Sequence, residues 1–176
     1  FSRKIPRFAN LPVYRANIEL LYVGRLLKSK GVERLVGQFM ELAPHERNHI
    51  SLRLVGDFDF NNLDSVDQKW VAKQVDSSDG ALSTHPFTSD IAQYVSHRTI
   101  FVSLSSREGM PFSVLEMLAA GVPCLLSSVP GHQDLKRISR VKLVREKQRL
   151  AVFTNIAELA SLFNEPMPNV SQFEIK

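Results

Sequence analysis

T-I-F-V-S-L-S-S-R-E-G-M-P-F-S-V-L-E-M-L-A-A-G-V-P-C-L-L-S, residues 99–127, reads as strand, helix and strand in succession. The first six residues are nearly continuously apolar and β-branched, as expected of a strand covered by helices on both faces. The segment F-S-V-L-E-M-L-A-A then carries a helix, and V-P-C-L-L-S at 122–127 forms the next strand. Gly121 stands where a helix C-terminus needs a left-handed residue, and Pro123 prevents the helix from continuing.

The same alternation extends in both directions. I-E-L-L-Y-V at 18–23 reads as a strand. It precedes a helix over 32–42 with Val32, Leu35, Val36, Phe39, Met40 and Leu42 on one stripe. A strand at 50–56 leads through D-F-D-F-N-N-L-D into a helix from 66 to 75, with Trp70 and Val71 facing inward. A short strand near 81–83 precedes a turn at His85-Pro86, and Ser89 or Asp90 caps a short helix ending at Tyr94. Beyond Gly131, strands are expected at 141–144 and 150–153. A helix follows over 155–163, with Ile156, Leu159, Ala160 and Phe163 inward. About five β-α units predict an α/β fold: a doubly wound, mostly parallel sheet with right-handed crossovers and helices on both faces.

Size and composition suit one domain. The 176 residues are 44% hydrophobic and 23% charged, enough apolar material for a core and too much for a disordered chain. No apolar run approaches the roughly 18 residues of a membrane span. The expected organisation is a lead-in at 1–17, a ligand-binding domain at 18–165 and a tail at 166–176. Because the chain opens with Phe1 and without a signal peptide, it is expected to be a piece of a longer protein. Its one cysteine, Cys124, allows no internal disulfide and no thiolate cluster, and reads as a buried strand thiol.

The formal charge of +4 is unevenly spread. Residues 1–36 hold Arg3, Lys4, Arg7, Arg15, Arg25, Lys28, Lys30 and Arg34 against Glu19 and Glu33, and a second basic stretch runs from Lys136 to Arg149. Such a surplus suits a phosphorylated ligand or an anionic membrane surface. Nucleic acid is disfavoured, because no recognition signature accompanies the charge.

Two polar segments follow strands, and doubly wound sheets bind ligands at the carboxyl ends of their strands. G-R-L-L-K-S-K-G at 24–31 supplies Gly24 for close backbone approach, the Arg25 fork, the Lys30 point charge, and Gly31 before a helix N-terminus. R-E-G-M-P-F at 107–112 supplies Glu108, with backbone donors at Gly109, Met110 and Phe112 and with Pro111 in the first helical turn. Glu116 points back toward the same helix entrance. Its apolar neighbours Val114, Leu115, Met117 and Leu118 leave it little solvent face, so it should be bonded to something. Gly56-Asp57 ends another strand, Pro86 and Phe87 follow a third, and Ser127, Ser128 and Gly131 border the cleft. His85 and His132 read as structural. The set describes a pocket for a ligand that is anionic at one end and hydroxyl-rich at the other.

G-R-L-L-K-S-K-G, L-R-L-V-G-D at 52–57, the E-x7-E element Glu108–Glu116, and A-A-G-V-P-C-L-L-S-S-V-P-G-H-Q-D at 119–134 occur in this order. In these motifs, over roughly residues 18–163, the chain resembles the C-terminal, donor-binding domain of retaining family-4 glycosyltransferases of GT-B fold. The resemblance implies transfer of a hexose from a nucleotide diphosphate sugar, UDP- or GDP-linked, to a sugar or lipid-linked acceptor with retained configuration. It implies no metal and no tightly bound cofactor. Catalysis would fall to Arg25, Lys30 and Glu108. Donor binding would involve Gly24, Arg25, Lys30, Gly56, Pro86, Phe87, Glu108, Gly109, Met110, Pro111, Phe112 and Glu116.

Arg25 and Lys30 would hold the diphosphate, Glu108 the sugar, Glu116 the ribose, and the segment at Pro86-Phe87 the base. The acceptor-binding N-terminal domain would be an absent partner. A cytoplasmic protein is expected, with peripheral membrane contact left open. Gly56-Asp57-Phe58 departs from the usual G-x-G, and the stretch after Asp134 lacks the usual Gly-rich segment. Rival readings are an epimerase or phosphorylase of the same fold, or a non-catalytic nucleotide-binding or scaffold module. An NAD-binding domain is disfavoured because no G-x-G-x-x-G opens the first crossover.

Overall fold

The computed structural model describes residues 17–109, 111–144 and 156–165. Within them a six-stranded sheet, every described pairing parallel, runs in the order β3-β2-β1-β4-β5-β6. The strands are β1 Ile18–Val23, β2 Ile50–Val55, β3 Leu82–His85, β4 Thr99–Ser103, β5 Cys124–Ser127 and β6 Val141–Val144. This is the Rossmann order, which reverses direction between β1 and β4 and opens a crevice there at the carboxyl edge. Both polar segments begin at that crevice, one after β1 and one after β4.

Two cores cover the two faces, divided by the period-2 alternation of the strands. Leu20, Leu52, Leu54, Ile100, Val102 and Leu125 face the helices α1 Val32–Met40 and α3 Gln68–Asp76 and the C-terminal helix α6 Ile156–Asn164. Leu21, Val55, Phe101, Cys124 and Leu126 face the opposite way, against Val114, Met117 and Leu118 of helix α4 Phe112–Ala119. All five residues of β4 are buried, in keeping with its apolar sequence.

Several boundaries differ from expectation, each for a local reason. Helix α1 stops at Met40, which is half-buried, while Leu42 stays in the core just beyond the end. Helix α3 begins at Gln68, because the Asp67 side chain accepts the Lys69 N–H and so caps it later than expected. Val71 is buried and Trp70 is half-buried. Strand β3 extends through His85, so the chain turns only at Pro86. The short helix before β4 is a 3-10 turn, Ile91–Tyr94, and no side chain caps it.

Two further helices, α2 Pro44–Arg47 and α5 Pro130–Gln133, each begin at a proline and span four residues, too few for a periodic signal. In α6, Leu159 and Phe163 face the core as expected, and Leu162 joins them. The expected strand at 150–153 lies outside the described residues, as do Met110, most of the lead-in and the tail. Among the described residues no helix is long and apolar enough to cross a membrane.

Candidate functional site

The loop after β1 and the loop after β4 are fastened to each other. Ser106 donates both its N–H, at 2.8 Å, and its hydroxyl, at 3.0 Å, to the Ser29 carbonyl. Gly31, at φ 74°, lies so close to Leu104 that a Cβ would fall on the Leu104 carbonyl. Glycine is therefore required there both for backbone conformation and for the approach of β4's loop. The contact brings Lys30 across the switch point: its Nζ lies 2.9 Å from Glu108 Oε1, with side chains 35% and 11% exposed. Ser105 Oγ donates to the same oxygen at 2.6 Å.

Behind β1's loop runs the acidic loop after β2. Leu26 N–H donates to the Asp57 carbonyl, Lys28 N–H to the Asp64 carbonyl and Val66 N–H to the Leu26 carbonyl. The Asp64 carboxylate also takes the Ser29 N–H, at 3.2 and 3.3 Å to its two oxygens, and the Ser29 hydroxyl. Gly56 is buried with its Cα against the Gly24 carbonyl, where no Cβ fits. Glycine at 56 thus lets the end of β2 close on the end of β1, whereas a Cβ on Gly24 would meet the Tyr22 hydroxyl at 3.1 Å. Arg25 reaches the same loop, its Nη1 3.3 Å from Asp59 Oδ2, in a pair 64% and 32% exposed. The Tyr22 hydroxyl donates to the Arg25 carbonyl at 2.7 Å. Burial, then the nearby Glu108 charge, pushes the Tyr22 phenol well above its ordinary pKa, so it stays protonated.

A cavity of about 420 Å³ opens at the ends of β2 and β3, lined by Gly56, Asp57, Phe58, Phe60, Gln68, Thr84, His85 and Pro86. The Phe58 and Phe60 rings stack at 6.2 Å. Asp57 Oδ1 accepts the Phe87 N–H at 3.1 Å and so ties the loop after β3 to that after β2. The Phe87 ring itself is exposed.

At the entrance of α4 the outcome is mixed. Pro111 is the residue before the helix, at φ −82° and ψ 74°, rather than its first turn. Gly109 is exposed, Phe112 is exposed, and Met110 lies outside the described residues. Glu116 is exposed, contrary to the expectation from its neighbours in sequence. Those neighbours divide by helical phase: Val114, Met117 and Leu118 face the core, while Glu116 shares the outer stripe with Phe112, four residues earlier. Its carboxylate therefore needs no protein partner.

The reading from sequence missed the polar layer beneath Glu108. Ser103, Ser105, Ser127 and His132 are all buried. Ser127 Oγ donates to the Ser105 carbonyl at 2.6 Å, and His132 Nδ1 lies 2.9 Å from the Ser127 carbonyl. Gly131 of α5 sits where a Cβ would come within 2.5 Å of the Glu108 carbonyl and 2.6 Å of the Gly109 carbonyl. The only signal of this layer in sequence is the presence of hydroxyls at the ends of two otherwise apolar strands. Among the described residues no group of His, Cys, Asp or Glu is arranged to hold a metal ion.

The architecture is thus a doubly wound α/β domain with Lys30 and Glu108 paired at its switch point and Arg25 turned to Asp59 beside them. The family model described as Glycosyl transferases group 1 matches residues 17–161, and the chain belongs to that family. It is a glycosyltransferase domain of GT-B fold. Similar solved structures include sucrose-phosphate synthase from Thermosynechococcus elongatus, 24% identical over 86% of this chain and 38% of that one, with a TM-score of 0.67. Anabaena HepE in complex with UDP and glucose is 21% identical over 84% of this chain and 41% of its own, with a TM-score of 0.66. WaaG, a glycosyltransferase involved in lipopolysaccharide biosynthesis, is 17% identical over 84% and 39%, with a TM-score of 0.61. At these identities the likeness is one of fold, and the chain spans well under half the length of each. No curated protein matches the chain at a significant level of sequence similarity.

Proposed function

We propose that this chain is the donor-binding half of a retaining hexosyltransferase that uses a nucleotide diphosphate sugar. The observation that carries the proposal is the Lys30–Glu108 contact at the switch point, with Arg25 on the same loop as Lys30. A diphosphate needs fixed cations, a sugar needs a hydroxyl acceptor, and the two must be adjacent because one glycosidic bond joins them.

Arg25 and Lys30 hold the diphosphate in this reading. Breaking the bond between sugar and phosphate leaves additional negative charge on the leaving diphosphate, and cations already in place stabilise it without reorganisation. The Arg25–Asp59 pair is exposed, and such pairs are worth about 0–1 kcal/mol, so phosphate oxygens displace Asp59 at small cost. Glu108 accepts from the sugar hydroxyls, and Glu116, exposed on the outer stripe of α4, accepts from the ribose. The N–H groups of Gly109 and Phe112 face phosphate or sugar. Gly24 and Gly56 let the ligand approach the strand ends, while Pro86, Phe87 and the cavity beside Phe58 take the base. The HepE complexes with UDP support a UDP-linked hexose, with a GDP-linked hexose as the alternative. The acceptor, a sugar or a lipid-linked sugar, would be selected by a second domain closing over this edge.

The test is differential. Arg25→Ala and Lys30→Ala should each weaken binding of the nucleoside diphosphate by about tenfold or more while changing nucleoside binding little. Equal losses for both ligands would sink the assignment.

A further inference from the structure

Ser103, Ser105, Ser127 and His132 bury their polar atoms together, directly beneath Glu108. Buried hydroxyls are costly unless bonded, and here the bonds have one direction. Ser105 Oγ, 2.6 Å from a carboxylate oxygen, must donate its proton there, and its remaining contact is Ser103 Oγ at 3.3 Å. Ser127 Oγ donates to the Ser105 carbonyl, which fixes the backbone that carries the Ser105 side chain. The Ser127 carbonyl accepts only, so His132 carries its proton on Nδ1 at 2.9 Å. Burial holds His132 below its ordinary pKa and keeps the ring neutral, leaving Nε2 as a lone pair. These are three separate bonds, two of which hold backbone carbonyls and the last of which reaches Glu108 Oε1, and Gly131 lets α5 press on the Glu108–Gly109 backbone.

The two oxygens of Glu108 are not equivalent. Oε1 takes both Ser105 Oγ and Lys30 Nζ, whereas Oε2 has no protein partner among the described residues. A carboxylate on a loop would otherwise turn about its last torsion, which is broad and two-fold. Fixing one oxygen on the protein leaves the other for a ligand.

We propose that Ser105, backed by Ser127 and His132, is the positioning residue of the site, pinning Glu108 Oε1 inward so that Oε2 is presented to the donor's sugar hydroxyls. This rests on the reading of Glu108 as the sugar-contacting carboxylate. Lys30 alone does not suffice for the task. An ammonium is a point charge with rotatable donors and attracts either oxygen, whereas the Ser105 hydroxyl sits on a buried, hydrogen-bonded backbone and selects one.

The experiment compares calorimetric affinities of the full-length protein for UDP with UDP-glucose and for GDP with GDP-mannose, using the pair that the wild type binds. The readout is the gain in affinity from the attached sugar, which a merely structural residue would not alter separately from the affinity for the bare diphosphate. Glu108→Ala should abolish that gain. Ser105→Ala should reduce it by about tenfold, with affinity for the diphosphate unchanged, because a hydrogen bond to a charged group is at stake. Ser105→Thr, which retains the hydroxyl, should restore it, and Ser127→Ala should fall between.

If Glu108→Ala loses the sugar gain while Ser105→Ala and Ser127→Ala both keep it, the positioning role is overturned and the role of Glu108 stands. If Glu108→Ala keeps the gain, both fall. Failure of the wild type to bind either pair also overturns both. Should Ser105→Ala not fold, Ser127→Ala and Ser105→Thr carry the same comparison.

Discussion

Replacing Gly31 with alanine tests the physical account of how the two signature loops meet. Gly31 caps α1 at φ 74°, and the added Cβ would fall on the Leu104 backbone carbonyl. The conformation alone costs an ordinary residue about 1–2 kcal/mol. The overlap is with backbone, which cannot rotate away, so one loop must move by about 1 Å to restore an ordinary contact. That shift loosens the Ser106 bonds to the Ser29 carbonyl, worth about 1 kcal/mol each. The sum is on the order of 3–4 kcal/mol, a large part of the roughly 5–15 kcal/mol that stabilises a domain.

Urea unfolding at constant m should show it as a midpoint lowered by about 1–2 M. Gly37, in the middle of the same helix, has open space where a Cβ would stand, with nothing within 4 Å. Gly37→Ala should therefore raise stability by about 0.5–1 kcal/mol. A Gly31→Ala domain within about 1 kcal/mol of wild type, or two alanines with the same sign, would refute the reasoning.

Three further outcomes follow from buried groups. His132 is held below its ordinary pKa by burial, so the unfolded chain binds its proton first and this group lowers stability as pH falls below about 6.5. The stability difference between wild type and His132→Gln should accordingly narrow between about pH 7 and 5 in thermal or urea melts. His85 is lowered too but is common to both proteins, and a constant or widening gap contradicts the assignment. Arg140, buried at φ 72°, donates to the carbonyls of Gly121 at 2.6 Å, Glu165 at 2.8 Å and Phe163 at 3.4 Å. Arg140→Ala should cost about 3 kcal/mol and speed hydrogen exchange first in α6; uniform acceleration argues against a local clasp. Cys124 is buried and its thiol pKa is raised by burial, so a thiol reagent should label it only at the rate of unfolding. Faster labelling under native conditions would contradict the buried strand.

The strands were legible because β1, β2 and β4 are apolar runs of strand length between turn residues, and alternating helices imply parallel pairing. The carboxyl edge was legible for the same reason, since a doubly wound sheet leaves one place where loops after separate strands converge. The solvent face of Glu116 was not legible from its apolar sequence neighbours, because neighbours in sequence are not neighbours in space on a helix. A rotation of about 100° per residue separates it from Met117 and Leu118 and aligns it with Phe112. The layer beneath Glu108 was not legible because Ser105 and Ser127 are 22 residues apart and meet only when β5 pairs with β4. Serine carries no period of its own, and a hydroxyl in a strand gives no sign of which carbonyl it will reach. The short helix α5 was hidden because four residues carry no period, and the packing of Gly131 against the Glu108 backbone exists only in three dimensions.

Calorimetric titration with UDP, GDP and ADP, each paired with its nucleoside, tests the central claim most directly. One diphosphate should bind, with affinity lost when the phosphates are removed and lost again in Lys30→Ala. Binding of none of the three by the folded full-length protein, or nucleoside binding as tight as diphosphate binding, would contradict a donor clamp at the β1–β4 crevice.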